Sequence, residues 1–153
     1  MSGAEVCITV TLLDGLVLAR SVFHHSMNYR SVILVGSPTE VTDTEEKRVA
    51  FKALVDHVVP GRWEDSRHPS VKELRATRVL RLNIQEASCK LRRGGPEDMS
   101  ADHALPHWAG VIPTPMVPQP PIPASDLRPG IAAPGYVAHY RRPGGRPAPD
   151  GAG

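Results

Sequence analysis

Residues 6–21 read Val6-Cys7-Ile8-Thr9-Val10-Thr11-Leu12-Leu13-Asp14-Gly15-Leu16-Val17-Leu18-Ala19-Arg20-Ser21. From Val6 to Leu12 the pattern alternates. Val6, Ile8, Val10 and Leu12 fall on one face, and Cys7, Thr9 and Thr11 fall on the other. Period-two alternation of β-branched residues is the signature of a half-buried strand. Asp14-Gly15 suits the positive φ values of a type I′ turn. Leu16–Ser21 then reads as the returning strand, which makes a β-hairpin with one buried face.

Outward from this hairpin the signals stay mostly β. A third strand is expected from Tyr29 to Ser37. Its centre Val32-Ile33-Leu34-Val35 is a continuous apolar run suited to burial on both faces. Gly36 and Pro38 suit a bulge or an end to pairing there. Thr42–Val59 is the one long helix. Thr42 with Glu45 fits a capping box, and Asp43, Glu45 and Glu46 place negative charge at the helix start. Ala50, Phe51, Leu54, Val55 and Val58 form its apolar stripe, and Pro60-Gly61 ends it. Ser70 with Glu73 is a second capping box, opening a short helix to Ala76. Strands follow at Val79–Ile84 and Glu86–Leu91.

The chain changes character near Val111. Eleven of its sixteen prolines lie between Pro113 and Pro149, where missing donors and fixed φ exclude central strands and helices. The expected organisation is one domain over 1–112 and a Pro/Gly-rich extended tail over 113–153, its last dozen residues disordered. Val117, Ile122, Leu127, Ile131 and Val137 are the tail's candidate anchors. A chain of 153 residues suits one core.

Bulk properties exclude several classes. Eighteen basic against sixteen acidic side chains leave +2, with no dense Lys/Arg block to track nucleic acid. Cys7 and Cys89 form no disulfide framework and have no metal-ligand spacing, which points to a reducing, cytoplasmic setting. No stretch approaches the roughly 18 apolar residues of a membrane span, and no signal peptide is evident. His24 and His25, if on a strand, face opposite ways and do not chelate one ion together. No Ser/His/Asp set or glycine-rich nucleotide loop is present. The Pro118–Pro123 stretch gives only a weak case for an SH3-type ligand.

The element order lacks the alternating crossover helices of a doubly wound α/β fold and fits a small barrel with one packed helix. In that order, Phe23–Asn28 running into Tyr29-Arg30-Ser31-Val32-Ile33 resembles the central strand of the pyridoxamine 5′-phosphate oxidase-like flavin proteins. Val41-Thr42-Asp43, Glu45-Glu46-Lys47, His57–Trp63, Lys72-Glu73-Leu74, Arg81-Leu82, Lys90 and Trp108–Val111 match in sequence over residues 4–115. The resemblance implies a mainly β fold with one long and one short helix, the FMN-binding split β-barrel. That family usually begins with a helix and further strands that hold the FMN phosphate, so the chain is expected to be an N-terminally truncated form.

The resemblance also implies a homodimer with FMN in clefts between subunits. Tyr29, Arg30, Ser31 and Val32 would line the flavin. Arg30 would meet either the phosphate or the pyrimidine carbonyls, and Ser31 would donate to the ring system. The alternative is that Arg30 is only a solvent-facing strand residue. Lys90 is a weaker phosphate contact, and Trp108 would cover the ring from the partner subunit. Trp63 reads as a structural plug. FMN is the expected cofactor, with haem the less favoured one. A flavin-dependent oxidoreductase is the leading reading, and a non-catalytic binding or dimerisation module with an incomplete cofactor site is its rival.

Overall fold

In the computed structural model, which describes residues 4–143, the alternating stretch does not turn at Asp14-Gly15. One strand, β1, runs from Val6 to Leu18, and it pairs antiparallel with β2, Ser26–Val41. The register shifts between Leu13 and Gly15, so the expected turn is a β-bulge with Asp14 as its extra residue. Gly15 does not have positive φ. It is needed for close approach instead: a Cβ there would come within 3.0 Å of the Ile112 carbonyl oxygen. The reversal comes later, through a short 3-10 turn at Val22–His24 whose N-cap Ser21 accepts from the Phe23 backbone N–H. His24 and His25 therefore sit on a turn and not on a strand. The His25 Nδ1 accepts the Ala19 backbone N–H at 3.1 Å.

β2 also outruns its expected limits, passing through Gly36 and Pro38 without ending. Gly36 is buried against the next strand, where a Cβ would lie 2.1 Å from the Asn83 carbonyl oxygen. The two strands expected at Val79–Ile84 and Glu86–Leu91 are one, β3, Val79–Arg92. A further strand, β4 at Gly110–Pro113, not expected from its sequence, pairs antiparallel with Gly15–Leu18 of β1. The sheet order is β3-β2-β1-β4. Pro113 is tolerated because it closes an edge strand.

Helix α1, Thr44–Val58, starts one residue later than a Thr42 cap implies. Asp43 is the N-cap, its side chain accepting from the Glu46 N–H at 2.8 Å. Helix α2, Val71–Ala76, has the expected Ser70/Glu73 capping box. Gly61, with φ of +88°, turns the chain after α1.

The structure resolves into two compact units. One comprises Met1–Thr39 and Leu82–Pro115. Its buried apolar side chains are Val17, at the end of β1 that lies between β2 and β4, and Ala19 just past it. The other comprises Glu40–Arg81 and Met116–Gly153, with Val41, Trp63 and Leu74 buried. Trp63 is the plug expected, stacked on His68 with ring centroids 4.5 Å apart. The expected apolar stripe of α1 is only partly covered, since Leu54 and Val58 are exposed. The buried α1 side chain is Lys47, whose ammonium donates to the Leu74 and Thr77 carbonyls (3.3 and 2.8 Å) and so ties α1 to the end of α2.

The tail is not featureless. It forms a short helix, α3, at Gly135–Ala138. The expected anchors Val117, Ile122, Leu127 and Ile131 are exposed. Two tyrosines hold it instead. The Tyr136 hydroxyl donates to Asp65 (2.7 Å) and accepts from Arg62 (3.1 Å), and the Tyr140 hydroxyl donates to the Val58 carbonyl (2.7 Å). The disorder expected of the last dozen residues falls, from residue 144 on, outside the described residues.

Candidate functional site

All six residues singled out for a cofactor belong to the unit that contains β1. On β2, Tyr29 faces Leu13, Arg30 faces Leu12, Ser31 faces Thr11 and Val32 faces Val10. Successive strand residues point to opposite faces. Tyr29 and Ser31 therefore share one face while Arg30 and Val32 share the other, and the four do not line a single surface. On the first face the Thr11 and Ser31 hydroxyls are hydrogen-bonded at 2.8 Å. On the second, Leu12, Val10 and Val32 make an apolar floor next to Arg30.

Arg30 is held. Its Nε and Nη2 donate to the two carboxylate oxygens of Asp14, each at 2.8 Å. This fork-to-fork geometry is the strong form of an ion pair. The hydrogen bonds that Arg30 donates to Asp14 raise the Arg30 pKa further above its ordinary value. The bulge makes the pair possible by giving β1 one extra residue beside the Leu12–Arg30 position. Asp14 is also anchored through its backbone, its carbonyl accepting the Thr114 N–H at 3.2 Å. The local sequence marks Asp14 only as a turn residue. Its role depends on register, which the local sequence does not carry.

β3 completes the second face. Asn28 is buried and accepts from Arg92 Nη1 at 2.9 Å, while its own amide donates to the Gly94 carbonyl at 2.9 Å. Gly36 lies against Asn83 farther along, so β2 and β3 run in opposite directions. By alternation, Asn28, Arg30 and Val32 share their face with Arg92 and Lys90. Lys90 is exposed, and among the described residues neither it nor Arg92 has a carboxylate partner. The face thus carries three cations, the Asp14 carboxylate paired with Arg30 and, by the same alternation, Glu86 farther along β3. Asn28 and Arg92 were not picked out from sequence, where a lone Asn before a Tyr carries no signal.

Beyond β3, Arg20 donates to Asp98 through its backbone N–H (2.7 Å) and its guanidinium (2.8 Å), fixing the segment that leads to β4. Burial pushes the Asp98 carboxyl up, but the donors from Arg20 and Ser21 outweigh it and hold the group below the usual carboxylate range. Trp108 is 66% exposed, with its ring folded over Gly110, where a Cβ would come within 2.8 Å of it. Among the described residues no cluster of His, Cys, Asp and Glu could hold a metal ion. Nor is any described helix long and apolar enough to cross a membrane.

This antiparallel sheet with few helices is that of the mainly β, split-barrel class. The family model for pyridoxamine 5′-phosphate oxidase matches residues 1–91, and the chain belongs to that family. Among solved structures it is similar to the flavocytochrome Anf3 from Azotobacter vinelandii, with 42% identity and a TM-score of 0.83. That match covers 90% of this chain and 64% of the flavocytochrome. It is also similar to the FAD and heme binding protein from Mycobacterium smegmatis, with 39% identity and a TM-score of 0.82, over 88% of this chain and 66% of the other. The chain thus spans just under two thirds of the length of either relative. Among curated proteins none matches it.

Proposed function

We propose that this chain binds a flavin nucleotide on the sheet face carrying Arg30, Val32, Lys90 and Arg92, and that it acts as a subunit of a homodimeric flavin-dependent oxidoreductase. The observation that carries this reading is the donor set of that face. An apolar β-branched floor suits a flat ring, and cations without carboxylate partners suit a phosphate. FMN satisfies both demands, and FAD, bound by the mycobacterial relative, differs only beyond the first phosphate. The flavin, when bound, supplies the electron- or hydride-transfer chemistry. The protein's own residues bind and orient it.

Trp108, 66% exposed with its ring over Gly110, suits a lid over a ring bound by a second subunit. Ile8 on one face of the sheet and Ile33 on the other are exposed, which supports association with another copy. The exposed free thiols Cys7 and Cys89 support a cytoplasmic setting. Haem is the second candidate cofactor, since both solved relatives are named for it; His25 does not offer iron its Nδ1, which accepts the Ala19 backbone N–H. A non-catalytic binding or dimerisation module is the second reading. It is favoured by one observation, that Arg30 is already engaged by Asp14.

The test is a visible absorption spectrum of the purified chain, with any released cofactor identified by mass. Flavin bands that are lost in a Lys90→Gln, Arg92→Gln double variant support the reading. A colourless protein that also fails to take up added FMN and FAD leaves the binding module.

A further inference from the structure

The tail and the helices it packs on contribute unequally to their shared unit. The buried apolar side chains there, Val41, Trp63 and Leu74, all come from Glu40–Arg81. Among the described residues, none from 116 onward is buried. We propose that residues 116–142 form a strap over the C-terminal end of α1, which a latch of two tyrosines keeps closed and which opens as one piece while the rest of its unit stays folded.

The latch is built at α3. Tyr136 and Tyr140 stand four residues apart, about one helical turn, and both hydroxyls reach the end of α1 and the turn after it. Tyr136 bridges a cation and an anion, accepting from Arg62 at 3.1 Å and donating to Asp65 at 2.7 Å. Tyr140 donates to the Val58 carbonyl, one of the acceptors that the last turn of a helix leaves without an intrahelical donor. The tail thus caps α1 from 82 residues away. The base of the strap is closed as well. The Arg142 guanidinium donates to the Met116 sulfur at 2.8 Å, which brings together two ends 26 positions apart.

Between those ends the chain has a stiff arm and a bend. Pro118, Pro120, Pro121 and Pro123 fix φ and keep their stretch extended. Gly130 follows with φ of +85°, a conformation glycine adopts without strain, and turns the chain back towards α3. The hold on this strap is thin. Ile122 is 92% exposed, and Val117, Leu127 and Ile131 are exposed too, so burial adds little. The latch bonds lie at the surface, where each contributes about 1 kcal/mol net. An element held by a few such bonds opens far more often than a core held by apolar burial. Opening releases the Val58 carbonyl and the Arg62–Asp65 pair together, so the strap governs access to this end of α1.

The test is native-state hydrogen exchange in increasing urea. The strap is read at the Leu127, Ala138 and His139 amides, bonded to the Ala124, Pro134 and Gly135 carbonyls. The reference is the Phe51 amide inside α1. In the wild type the three strap amides are expected to share one opening equilibrium that scarcely depends on urea, whereas Phe51 exchanges through a urea-steep transition. Tyr136→Phe with Tyr140→Phe keeps the rings and removes the hydroxyls. It is expected to speed all three strap amides by a common factor of about tenfold or more. Val41→Ala weakens the core without touching the latch. It is expected to speed Phe51 about tenfold and to leave the strap amides as they were.

Strap amides that speed up in step with Phe51 in Val41→Ala overturn the proposal, because the tail then opens only with the whole unit. So does a double Phe variant in which they are unmoved, or in which Leu127 stays still while α3 loosens. Should the double Phe variant fail to fold, the wild-type urea slopes and Val41→Ala decide.

Discussion

The two halves of β1 have similar composition and different fates. Leu16–Leu18 lies between β2 and β4, and there Val17 is fully buried, with Ala19 just past the strand end nearly so. Val6–Leu13 pairs with β2 only, and Ile8, Val10 and Leu13 are between 44% and 53% exposed. Both stretches are rich in Val, Ile and Leu, so hydrophobicity does not separate them. The difference comes from a neighbour on the second edge, supplied by four residues far along the chain. One half of the strand is core. The other is an open surface carrying the Thr11–Ser31 hydroxyls and, at the bulge, the Asp14–Arg30 pair.

The most direct way to break this arrangement is Gly36→Val. A Cβ at Gly36 meets a backbone carbonyl at 2.1 Å, which no side-chain rotation relieves. Overpacking of this kind costs about 3 kcal/mol or more, and loss of cooperative melting by circular dichroism is the expected result. A matched pair sharpens the contrast between the halves. Val17→Ala removes fully buried methyls and costs roughly 2 kcal/mol, while Val10→Ala on the same strand changes stability by less than about 0.5 kcal/mol. Equal losses in urea unfolding would show that the open half is covered in solution. Gly15→Ala probes the bulge, where a Cβ meets the Ile112 oxygen at 3.0 Å and the Val111 side chain at 3.1 Å. It is expected to cost about 1 kcal/mol and to loosen β4 first, seen as faster amide exchange at Val111.

Much of this was legible from the chain, because local rules and the tertiary structure agree there. Alternation marked β1, Pro60-Gly61 marked the end of α1, and Ser70 with Glu73 marked α2. Asp14-Gly15 misled because its turn preference is local, whereas the strand continues through pairing with the distant β4. β4 itself was hidden by Gly110 and Pro113, which suppress strand propensity yet suit a short edge. Asp43 and Thr42 both have capping chemistry, so the sequence left the α1 start one residue uncertain. At the site, Arg30 was visible as an arginine on a strand. Its partner was not, since a bulge sets which residue stands beside it. Asn28 and Arg92 meet across strands 64 residues apart, a pairing that only register reveals.

The smallest effect concerns a region where exposed polar contacts, and not a second edge, hold an element in place. Glu73 caps α2, accepting from the Ser70 N–H (2.7 Å) while Arg67 forks onto its carboxylate (3.0 and 2.7 Å). The Arg67 guanidinium first, and Ser70 after it, lower the Glu73 pKa to about 2. The folded value lies below the ordinary glutamate value of about 4.3, so the charged carboxylate favours the folded state. Its contribution is complete above the unfolded value and disappears as pH falls from there towards 2. Wild-type melting temperature should therefore drop across that window, and Glu73→Gln should drop less while starting lower. Solvent screens this exposed group, so the difference is small beside that of Val17→Ala. Its carboxyl carbon resonance is the sharper probe: it should titrate near 2 in the wild type and move up towards the ordinary value in Arg67→Ala. An unchanged midpoint in that variant would assign the depression to the Ser70 cap, making α2 self-sufficient on its exposed side.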